Sequence, residues 1–317
     1  MLKIGLSSCI LGVECRFDGG HKKDDFVVDN LSGFATYHHY CPEDDAFGHP
    51  RESMRLVKKD GVIVVLGNSS KSDFTEILTE KSENICKSIE SKDLDGFILK
   101  SKSPSCGIDR VKLYLPNGMP GGNGEGVFAK LLKERFPLLP LEDEGRLQDS
   151  WLKENFLMEI YAYKDIKELK TNATKISELV KFHTTYKFLL LSKHQSNYRE
   201  LGRIVSNSSG VSFDEVLQSY FELFCETIKK KSTKGKVLNV LEHIFGFLKN
   251  ELKEGEKREI LKSFDEFYKG VVPLIAPLKL LEIYILKYNI EYLKNQKFLH
   301  PYPDSLGLRS EIKAYKD

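Results

Sequence analysis

Apolar residues in the first half of the chain occur in short continuous runs, separated by stretches in which they recur at helical spacing. The runs predict strands at residues 3–8, 61–66 and 96–100, with a shorter strand at 113–115. Helical spacing over residues 73–92 and 127–136 predicts two amphipathic helices. Continuously apolar strands that alternate with helices are typical of a parallel sheet covered on both faces. We therefore predict an α/β N-terminal domain with a mostly parallel sheet.

Two stretches of this half show neither pattern. Residues 12–52 and residues 116–126 contain many glycine, proline and polar residues, and we predict both to be irregular. Long irregular segments inside a compact domain are usually functional or mobile. These two are therefore candidate parts of a site.

From Trp151 onward the pattern is helical and no strand-like run occurs. Helices are predicted at residues 151–163, 174–192, 196–206, 213–230, 234–252, 256–269 and 277–295. The preceding segment, 137–150, combines prolines with an acidic cluster and is predicted to be the boundary. The expected organisation is an α/β domain over residues 1–145 followed by an all-α C-terminal domain over residues 151–317.

Charge is distributed unequally between the two halves. Residues 1–145 carry 19 Lys and Arg against 23 Asp and Glu, a net charge of −4, whereas residues 146–317 carry 29 against 23, a net charge of +6. A basic helical domain is compatible with a polyanionic partner such as RNA.

The sequence indicates neither a membrane protein nor a protein that binds a nucleotide cofactor. No apolar run approaches the roughly 20 residues that span a bilayer. The N-terminus enters a strand pattern directly and lacks the features of a signal peptide, so we predict a cytoplasmic protein with no membrane partner. The glycine-rich residues 118–126 have neither the Gly-Lys-Ser/Thr ending of a P-loop nor a Gly-x-Gly-x-x-Gly pattern, so no ATP or NAD cofactor is expected.

Six cysteines are too few for a disulfide scaffold in a chain of 317 residues. Cys86 and Cys225 lie in helical patterns and are interpreted as small buried apolar residues. Cys9, Cys41 and Cys106 lie where strands are predicted to end, and ligands of open α/β sheets bind at the carboxyl ends of strands. Three thiolates meeting there would form an iron–sulfur or metal site with one open position.

Two polar residues accompany these cysteines. Glu43 follows Cys41 by two positions and is a candidate acid/base group, and Ser103 precedes Cys106 by three. Each also has a purely structural interpretation, Glu43 as a carboxylate at a helix N-terminus and Ser103 as part of a turn. Paired Cys-x2–4-Cys spacing, which is typical of structural zinc, is missing.

Several motifs in the first 145 residues together resemble the thiouracil desulfidase family. They are Ser7-Ser8-Cys9-Ile10-Leu11-Gly12, Cys15-Arg16-Phe17-Asp18-Gly19, Cys41-Pro42-Glu43, Gly48-His49-Pro50-Arg51-Glu52 and Ser103-Pro104-Ser105-Cys106-Gly107. The resemblance implies a 4Fe-4S cluster held by Cys9, Cys41 and Cys106, with one non-protein-ligated iron for the substrate's sulfur. It also implies that Glu43 is the catalytic acid/base and Ser103 its partner. Cys15 remains an alternative ligand.

One departure from this family pattern follows Glu43. Asp44-Asp45-Ala46-Phe47 stands where the family usually has apolar or small residues. Two extra carboxylates next to an anionic substrate leave that substrate's size and orientation open.

The helical half resembles the domain that is often fused to thiouracil desulfidases. The motifs that carry the resemblance are Phe182-His183 with Lys187, Tyr198-Arg199-Glu200-Leu201-Gly202, His243-Ile244-Phe245-Gly246-Phe247, Pro273-Leu274-Ile275-Ala276-Pro277-Leu278 and Pro301-Tyr302-Pro303. Fused proteins of this kind are implied to convert 4-thiouridine in tRNA to uridine, with the helical domain holding the RNA.

Residues of one predicted helix provide candidate RNA contacts. If helix 174–192 continues, then His183, Lys187 and His194 share one face, with Tyr198 near it. Lys187 and Arg199 would contact phosphates, and His183 would stack on a base. The competing interpretation is a polar stripe that faces solvent or is half-buried.

Two other functions compete with tRNA desulfuration. The first is desulfuration of free 2-thiouracil or another small thiobase, although such a substrate gives no reason for a basic helical domain. The second is a non-catalytic RNA-binding or redox-sensing protein in which the cysteines hold a metal or a cluster for stability.

Overall fold

The computed structural model describes residues 1–206 and 210–306 and divides into two compact units, Met1–Phe156 and Leu157–Asp317. The division falls inside one helix, Ser150–Asn172. The domain limits of 145 and 151 stay a prediction, and residues 307–317 of the predicted second domain lie outside the described residues.

The first unit contains two four-stranded sheets. Its strands are β1 Leu2–Ser7, β2 Ala35–Tyr40, β3 Met54–Lys59, β4 Val62–Gly67, β5 Gly96–Leu99, β6 Val111–Tyr114, β7 Pro120–Gly124 and β8 Leu141–Asp143. Its first three helices are α1 Pro42–Phe47, α2 Thr75–Glu90 and α3 Val127–Arg135. The strand order is β2-β1-β5-β8 in the first sheet and β4-β3-β6-β7 in the second.

All neighbouring strands of the first sheet are parallel, which confirms the predicted α/β class. The central strands β1 and β5 are buried at nearly every position, as the continuous apolar runs indicated. Gly5 lies in β1 where a Cβ atom would stand 2.2 Å from the Phe97 ring. Any larger residue at position 5 would collide with the Phe97 ring, so the packing of Phe97 against β1 requires glycine.

The prediction that residues 12–52 are irregular is wrong. This interval contains β2, the short helix α1 and a π-helix at Phe26–Leu31. Strand β2 has the sequence Ala-Thr-Tyr-His-His-Tyr and is only partly buried, so it carries no apolar run. It becomes a strand because its backbone pairs in register with β1 from Leu2 to Ser7.

The second sheet also corrects the sequence analysis. The predicted strand 61–66 is β4, but it pairs antiparallel with β3, a strand that the apolar pattern did not reveal. Asp60 and Gly61 join the two strands with φ angles of 52° and 83°. Two consecutive positive φ angles in an Asp-Gly pair define a tight hairpin turn. Residues 116–126, predicted to be irregular, include β7, which pairs antiparallel with β6.

Within its described residues, 157–206 and 210–306, the second unit contains helices and no strand, which confirms the all-α prediction. Its helices are α4 Ser150–Asn172, which begins in the first unit, α5 Ile176–Lys193, α6 Gln195–Ser206, α7 Phe213–Ile228, α8 Lys234–Leu248, α9 Glu254–Lys269, α10 Ile275–Lys287 and α11 Glu291–Lys294. Across the described ranges, no helix is both long and apolar enough to cross a bilayer.

Two predicted helices are interrupted. Residues 277–295 form α10 and α11, because Asn289 adopts a left-handed φ of 52° between them. The predicted continuation of α5 past residue 192 ends at His194, whose extended backbone, with φ of −157°, separates α5 from α6. His183 and Tyr198 therefore lie on different helices.

A half-buried histidine makes the stability of the second unit depend on pH. His183 donates to or accepts from the Tyr220 hydroxyl at 3.1 Å and stacks on the Tyr198 ring. Burial, and then the nearby Lys187 ammonium, lower the pKa of His183 to about 4. The unfolded chain binds this proton near its ordinary pKa, so stability is complete above about pH 6.5 and falls as the pH drops toward 4, by about 2–3 kcal/mol.

Denaturant unfolding at pH 7.5, 5.5 and 4.5, followed by circular dichroism, checks this expectation. His183→Gln should unfold with a smaller pH dependence than the unchanged protein. His243→Gln is the control, because His243 is exposed and its replacement should leave the pH dependence intact. Equal pH dependence in both variants would contradict the assignment.

Candidate functional site

The carboxyl ends of three neighbouring strands meet at one edge of the first sheet. Cys9 lies in the turn after β1, Cys41 directly follows β2, and Cys106 ends the loop after β5. Because β2, β1 and β5 are adjacent and parallel, their ends bring residues that are far apart in sequence to one place. All three cysteines line a cavity of about 340 Å³.

A fourth cysteine, Cys15, lines the same cavity and is 2% exposed. Its thiol lies within hydrogen-bonding reach of both Cys41 and Cys9. The Cys41 thiol also donates to the Cys15 carbonyl oxygen at 3.7 Å. Cys15 thus stands among the predicted ligands, and it stays the alternative to one of them.

Burial, together with contact with Cys15 in the case of Cys41, favours the protonated forms of the Cys41 and Cys106 thiols. The hydrogen bond with Cys15, followed by burial, raises the pKa of Cys41 far above its ordinary value. Burial raises the pKa of Cys106 to about 12. Metals bind the thiolate form, so loading of a metal centre must release protons from these groups.

Glu43 stands beside the cysteines on the first turn of α1. Its Oε1 accepts hydrogen bonds from Ser103 Oγ at 2.8 Å and from Ser105 Oγ at 2.6 Å. Its Oε2 accepts a hydrogen bond from the Arg51 guanidinium at 3.0 Å. The two residues predicted as acid/base and partner are therefore in direct contact.

The hydrogen bonds around Ser103 determine which way its hydroxyl hydrogen points. Ser103 Oγ accepts from the backbone N–H groups of Ser105 and Cys106, each at 3.2 Å. With its oxygen occupied as an acceptor, the hydroxyl donates its own hydrogen to Glu43. The same turn carries Cys106, so the local backbone that orients the serine also positions the cysteine.

Sequence reasoning missed Ser105, which it treated as part of a turn. Ser105 is 1% exposed, and its hydroxyl lies 2.6 Å from Glu43 Oε1 and 3.5 Å from Cys106 Sγ. It therefore links the candidate base to a candidate ligand. Its place one residue before Cys106 was the available signal, but sequence does not show which way a loop hydroxyl points.

The two additional carboxylates, Asp44 and Asp45, have separate roles. Asp44 accepts a hydrogen bond from His49 Nδ1 at 2.7 Å and lies 3.7 Å from the Arg51 guanidinium. Asp45 is exposed on α1 and is not part of the cavity wall. At the two positions where this chain departs from the family pattern, Asp44 thus belongs to an ion-pair network and Asp45 lies outside the cavity.

The cavity suits an iron–sulfur cluster by its donor set. Within residues 1–206 and 210–306, no three His, Cys, Asp or Glu side chains are close enough to share one metal ion. Thiolates on a single tetrahedral zinc stand about 3.8 Å apart. In a 4Fe-4S cluster each cysteine binds a different iron, so the cluster itself separates its ligands. Cys9, Cys41 and Cys106 line the cavity from three different strand ends, which matches the second arrangement.

An unsatisfied donor lies on the same wall. Arg51 Nε is buried and has no hydrogen-bond partner among the described residues. The Arg51 side chain also lines the cavity. An acceptor or a negatively charged group inside the cavity would satisfy this donor, which is consistent with a bound anionic cluster.

Gly126 holds the cysteine loop against the start of α3. The N–H groups of Val127 and Ala129 donate to the carbonyl oxygens of Pro104 and Ser105, each at 3.1 Å. A Cβ atom on Gly126 would lie 2.4 Å from the Ser105 carbonyl oxygen, a backbone atom that cannot rotate away. This close approach requires glycine.

Replacing Gly126 with alanine is expected to displace the loop that carries Ser105 and Cys106. We expect a loss of about 1–3 kcal/mol in stability and a lower iron content after reconstitution. Iron per protein and the unfolding midpoint measure the two effects. Gly33→Ala is the control because no atom lies within 4 Å of its added Cβ; equal iron content in both variants would show that the loop tolerates the methyl group.

The candidate RNA contacts are less closely grouped. His183 is half-buried between two tyrosines, and Lys187 lies over the Phe188 and Tyr292 rings on α5. Arg199 is exposed on α6 and has no ionic partner within the described ranges. The structure thus leaves Arg199 free for a ligand, whereas His183 already packs against its neighbours.

Comparisons with known proteins match each half separately. A family model described as 2-thiouracil desulfurase matches residues 4–144. A second, described as a protein of unknown function (DUF1722), matches residues 187–303. The solved structure of a 4Fe-4S-dependent thiouracil desulfidase, TudS (DUF523Vcz), is 28% identical, with a TM-score of 0.37 over 47% of this chain and 94% of that chain.

Two proteins described as uncharacterized are also similar. YbgA of Escherichia coli (strain K12) is 25% identical over 154 residues, which are 48% of this chain and 91% of YbgA. YbbK of Bacillus subtilis (strain 168) is 31% identical over 141 residues, which are 41% of this chain and 88% of YbbK. With these similarities and the family model over residues 4–144, the chain belongs to the 2-thiouracil desulfurase family.

Proposed function

We propose that this protein is an iron–sulfur-dependent desulfidase that replaces the thiocarbonyl sulfur of 4-thiouridine in tRNA by oxygen. The observation that carries the proposal is the cavity in which buried cysteines stand beside a hydrogen-bonded Glu43 and Ser103. Membership in the 2-thiouracil desulfurase family supports the reaction class. The TudS structure, described as 4Fe-4S-dependent, is the precedent for the cofactor.

Cys9, Cys41 and Cys106 would hold the cluster, with Cys15 as the alternative ligand. A cluster bound there with one iron free of protein ligands would supply a soft Lewis acid for the thiocarbonyl sulfur, which would polarise the C–S bond. Water supplies the oxygen, so a C–O bond forms, the C–S bond breaks and no net electrons are transferred. The products are uridine and hydrosulfide.

Glu43 is the proposed base that takes a proton from the attacking water. Its carboxylate is only partly exposed and is held by three donors, so it does not need to reorient before it accepts that proton. Ser103 would give its own hydroxyl hydrogen to the departing sulfur and take in exchange the proton that Glu43 received from water. A relay of this kind requires Oγ and the carboxylate to be in contact, and they lie 2.8 Å apart.

The cavity wall also fits a pyrimidine nucleotide. Phe17 is an aromatic residue on this wall and is 38% exposed, so its ring is available to stack on a base. Lys22 and Lys102 are exposed cations on the same wall. Exposed cationic side chains on this wall favour a substrate that carries phosphates.

The helical second unit supports the choice of tRNA over a free base. Residues 146–317 carry a net charge of +6, and the exposed Arg199 and the partly buried Lys187 lie on consecutive helices. A small thiobase would not require such a basic appendage. We propose that Lys187 and Arg199 contact tRNA phosphates, and that His183 acts mainly by supporting the surface around them.

An assay with two kinds of substrate tests this proposal. Reconstituted protein is mixed anaerobically with tRNA containing 4-thiouridine, or with free 2-thiouracil, and the loss of near-ultraviolet thiobase absorption and the release of hydrosulfide are followed. Turnover of tRNA is expected, with a KM that rises in Lys187→Ala and Arg199→Ala. Turnover of the free base alone would favour the second candidate, a small-thiobase desulfidase, to which the description of the matched family points.

A further inference from the structure

Arg51 connects the candidate base to two other segments of the site. Its guanidinium donates from one terminal nitrogen to Glu43 Oε2 at 3.0 Å. The other terminal nitrogen donates to the carbonyl oxygens of Gly48 at 2.7 Å and Cys15 at 3.1 Å. Arg51 itself precedes β3, so one side chain joins the helix of the base, the turn after it and the loop of Cys15.

This arginine is held almost entirely out of solvent. Its side chain is 6% exposed and that of Glu43 is 14% exposed. A charge-assisted hydrogen bond that is shielded from water is stronger than its counterpart at the surface. An arginine with three acceptors on a planar fork also has few alternative orientations. The contact with Glu43 is therefore rigid.

The two carboxylate oxygens of Glu43 accept hydrogen bonds from different parts of the site. Arg51 occupies Oε2, whereas Ser103 and Ser105 occupy Oε1. Rotation of the carboxylate out of its present plane would weaken the hydrogen bond from Arg51 and those from both serines at once. Arg51 thus fixes the orientation of the carboxylate and keeps its other oxygen within hydrogen-bond distance of the serines.

We propose that Arg51 is a positioning residue for desulfuration, which orients the Glu43 carboxylate toward Ser103 and Ser105 and ties it to the loop of Cys15. This inference rests on the proposed function, because it assigns Arg51 a task in the reaction that Glu43 performs. Arg51 acts through Glu43 and does not itself exchange protons. Its loss should affect the chemical step more than substrate binding.

Kinetics of Arg51→Ala provide the first test. We expect kcat to fall about 10–100-fold, the usual effect of losing a residue that orients a reacting group, while KM changes little. The absorption spectrum of the cluster should be retained. Arg51→Lys should recover part of the loss, because lysine keeps the charge but has no planar fork. Arg55→Ala is the matched control. Arg55 belongs to β3, its guanidinium lies over the Tyr114 ring, and it does not line the cavity.

Two measurements separate positioning from general support of the fold. Added guanidinium ion, at a concentration that does not denature the protein, should raise kcat of Arg51→Ala and leave Arg55→Ala unchanged. A crystal structure of Arg51→Ala should show both Glu43 carboxylate oxygens farther than about 3.5 Å from Ser103 Oγ, whereas the nearer one lies 2.8 Å away here. If Arg51→Ala does not fold, Arg51→Gln takes its place in both measurements.

The outcomes distinguish this inference from the proposed function. A folded Arg51 variant that keeps full kcat, or one in which Glu43 stays on Ser103, overturns the role of Arg51 alone. An unchanged protein that releases no hydrosulfide from any thiolated substrate overturns the proposed function. A lowered kcat that guanidinium restores supports Arg51 as the residue that orients Glu43.

Discussion

Replacing Cys106 with alanine is expected to give a folded protein that holds no stable cluster and has lost desulfidase activity. Cys106 is 4% exposed and stands in the loop that also positions Ser103 and Ser105. Loss of a residue that only orients a metal ligand costs about 10–100-fold in activity, so loss of the ligand itself should cost more than about 100-fold. Iron content, visible absorption and hydrosulfide release measure the effect.

Cys86→Ala is the matched control for this variant. Cys86 is equally buried, but it lies on α2 outside the cavity. Its replacement should retain the cluster and cost only about 1 kcal/mol of stability. A Cys106→Ala protein with normal iron content and activity would remove Cys106 from the ligand set.

The same experiment on the remaining cavity cysteines decides between Cys9 and Cys15. Both thiols line the cavity, and their proximity to each other leaves the ligand assignment open. Alanine variants of Cys9, Cys15 and Cys41 should separate into two that lose the cluster and one that retains it. By the family resemblance, the retained one is Cys15→Ala.

Glu43→Gln is expected to bind the cluster and lower kcat by about 10²–10⁴-fold, the usual contribution of a general base. Glutamine has the same shape as glutamate but takes up no proton at neutral pH. Ser103 and Ser105 can still donate to its carbonyl oxygen, so the local fold should persist. Single-turnover kinetics with reconstituted protein, read alongside the cluster spectrum, isolate the chemical step.

Asp45→Asn provides the comparison for Glu43→Gln. Asp45 lies two residues further along α1, is exposed and does not line the cavity. Its replacement changes the charge of the same helix by the same amount and should leave kcat unaltered. If Glu43→Gln retained full turnover with an intact cluster, another group would have to activate the water.

Much of the site was predictable because short motifs carry it. Cys9 and Cys106 follow strands that apolar runs predict, whereas the strand before Cys41 is β2, which no apolar run predicts. Glu43 and Ser103 were recognisable by their short sequence separation from Cys41 and Cys106. Arg51 and Ser105 were present in the same motifs, but their roles depend on the direction of a side chain. The guanidinium of Arg51 reaches Glu43 only because the turn at Gly48 folds back against the Cys15 loop.

The elements that were predicted wrongly share a physical cause. Strand β2 has no apolar run, because it lies at the edge of its sheet and obtains its order from pairing with β1. Strand β3 was overlooked although Asp60-Gly61 marks the hairpin that joins it to β4. The break at His194 lies in a sequence with good helical spacing, and the backbone there is extended.

The sequence by itself determined the α/β class, the helical second half and the identities of the groups able to do chemistry, because apolar periodicity and local motifs are properties of neighbouring residues. Only the tertiary structure decided that Cys9, Cys15, Cys41 and Cys106 line one cavity and that Glu43 is held between Arg51 and two serines. Parallel pairing of β2, β1 and β5 brings distant strand ends together. That pairing depends on long-range backbone hydrogen bonds, which short-range patterns do not encode.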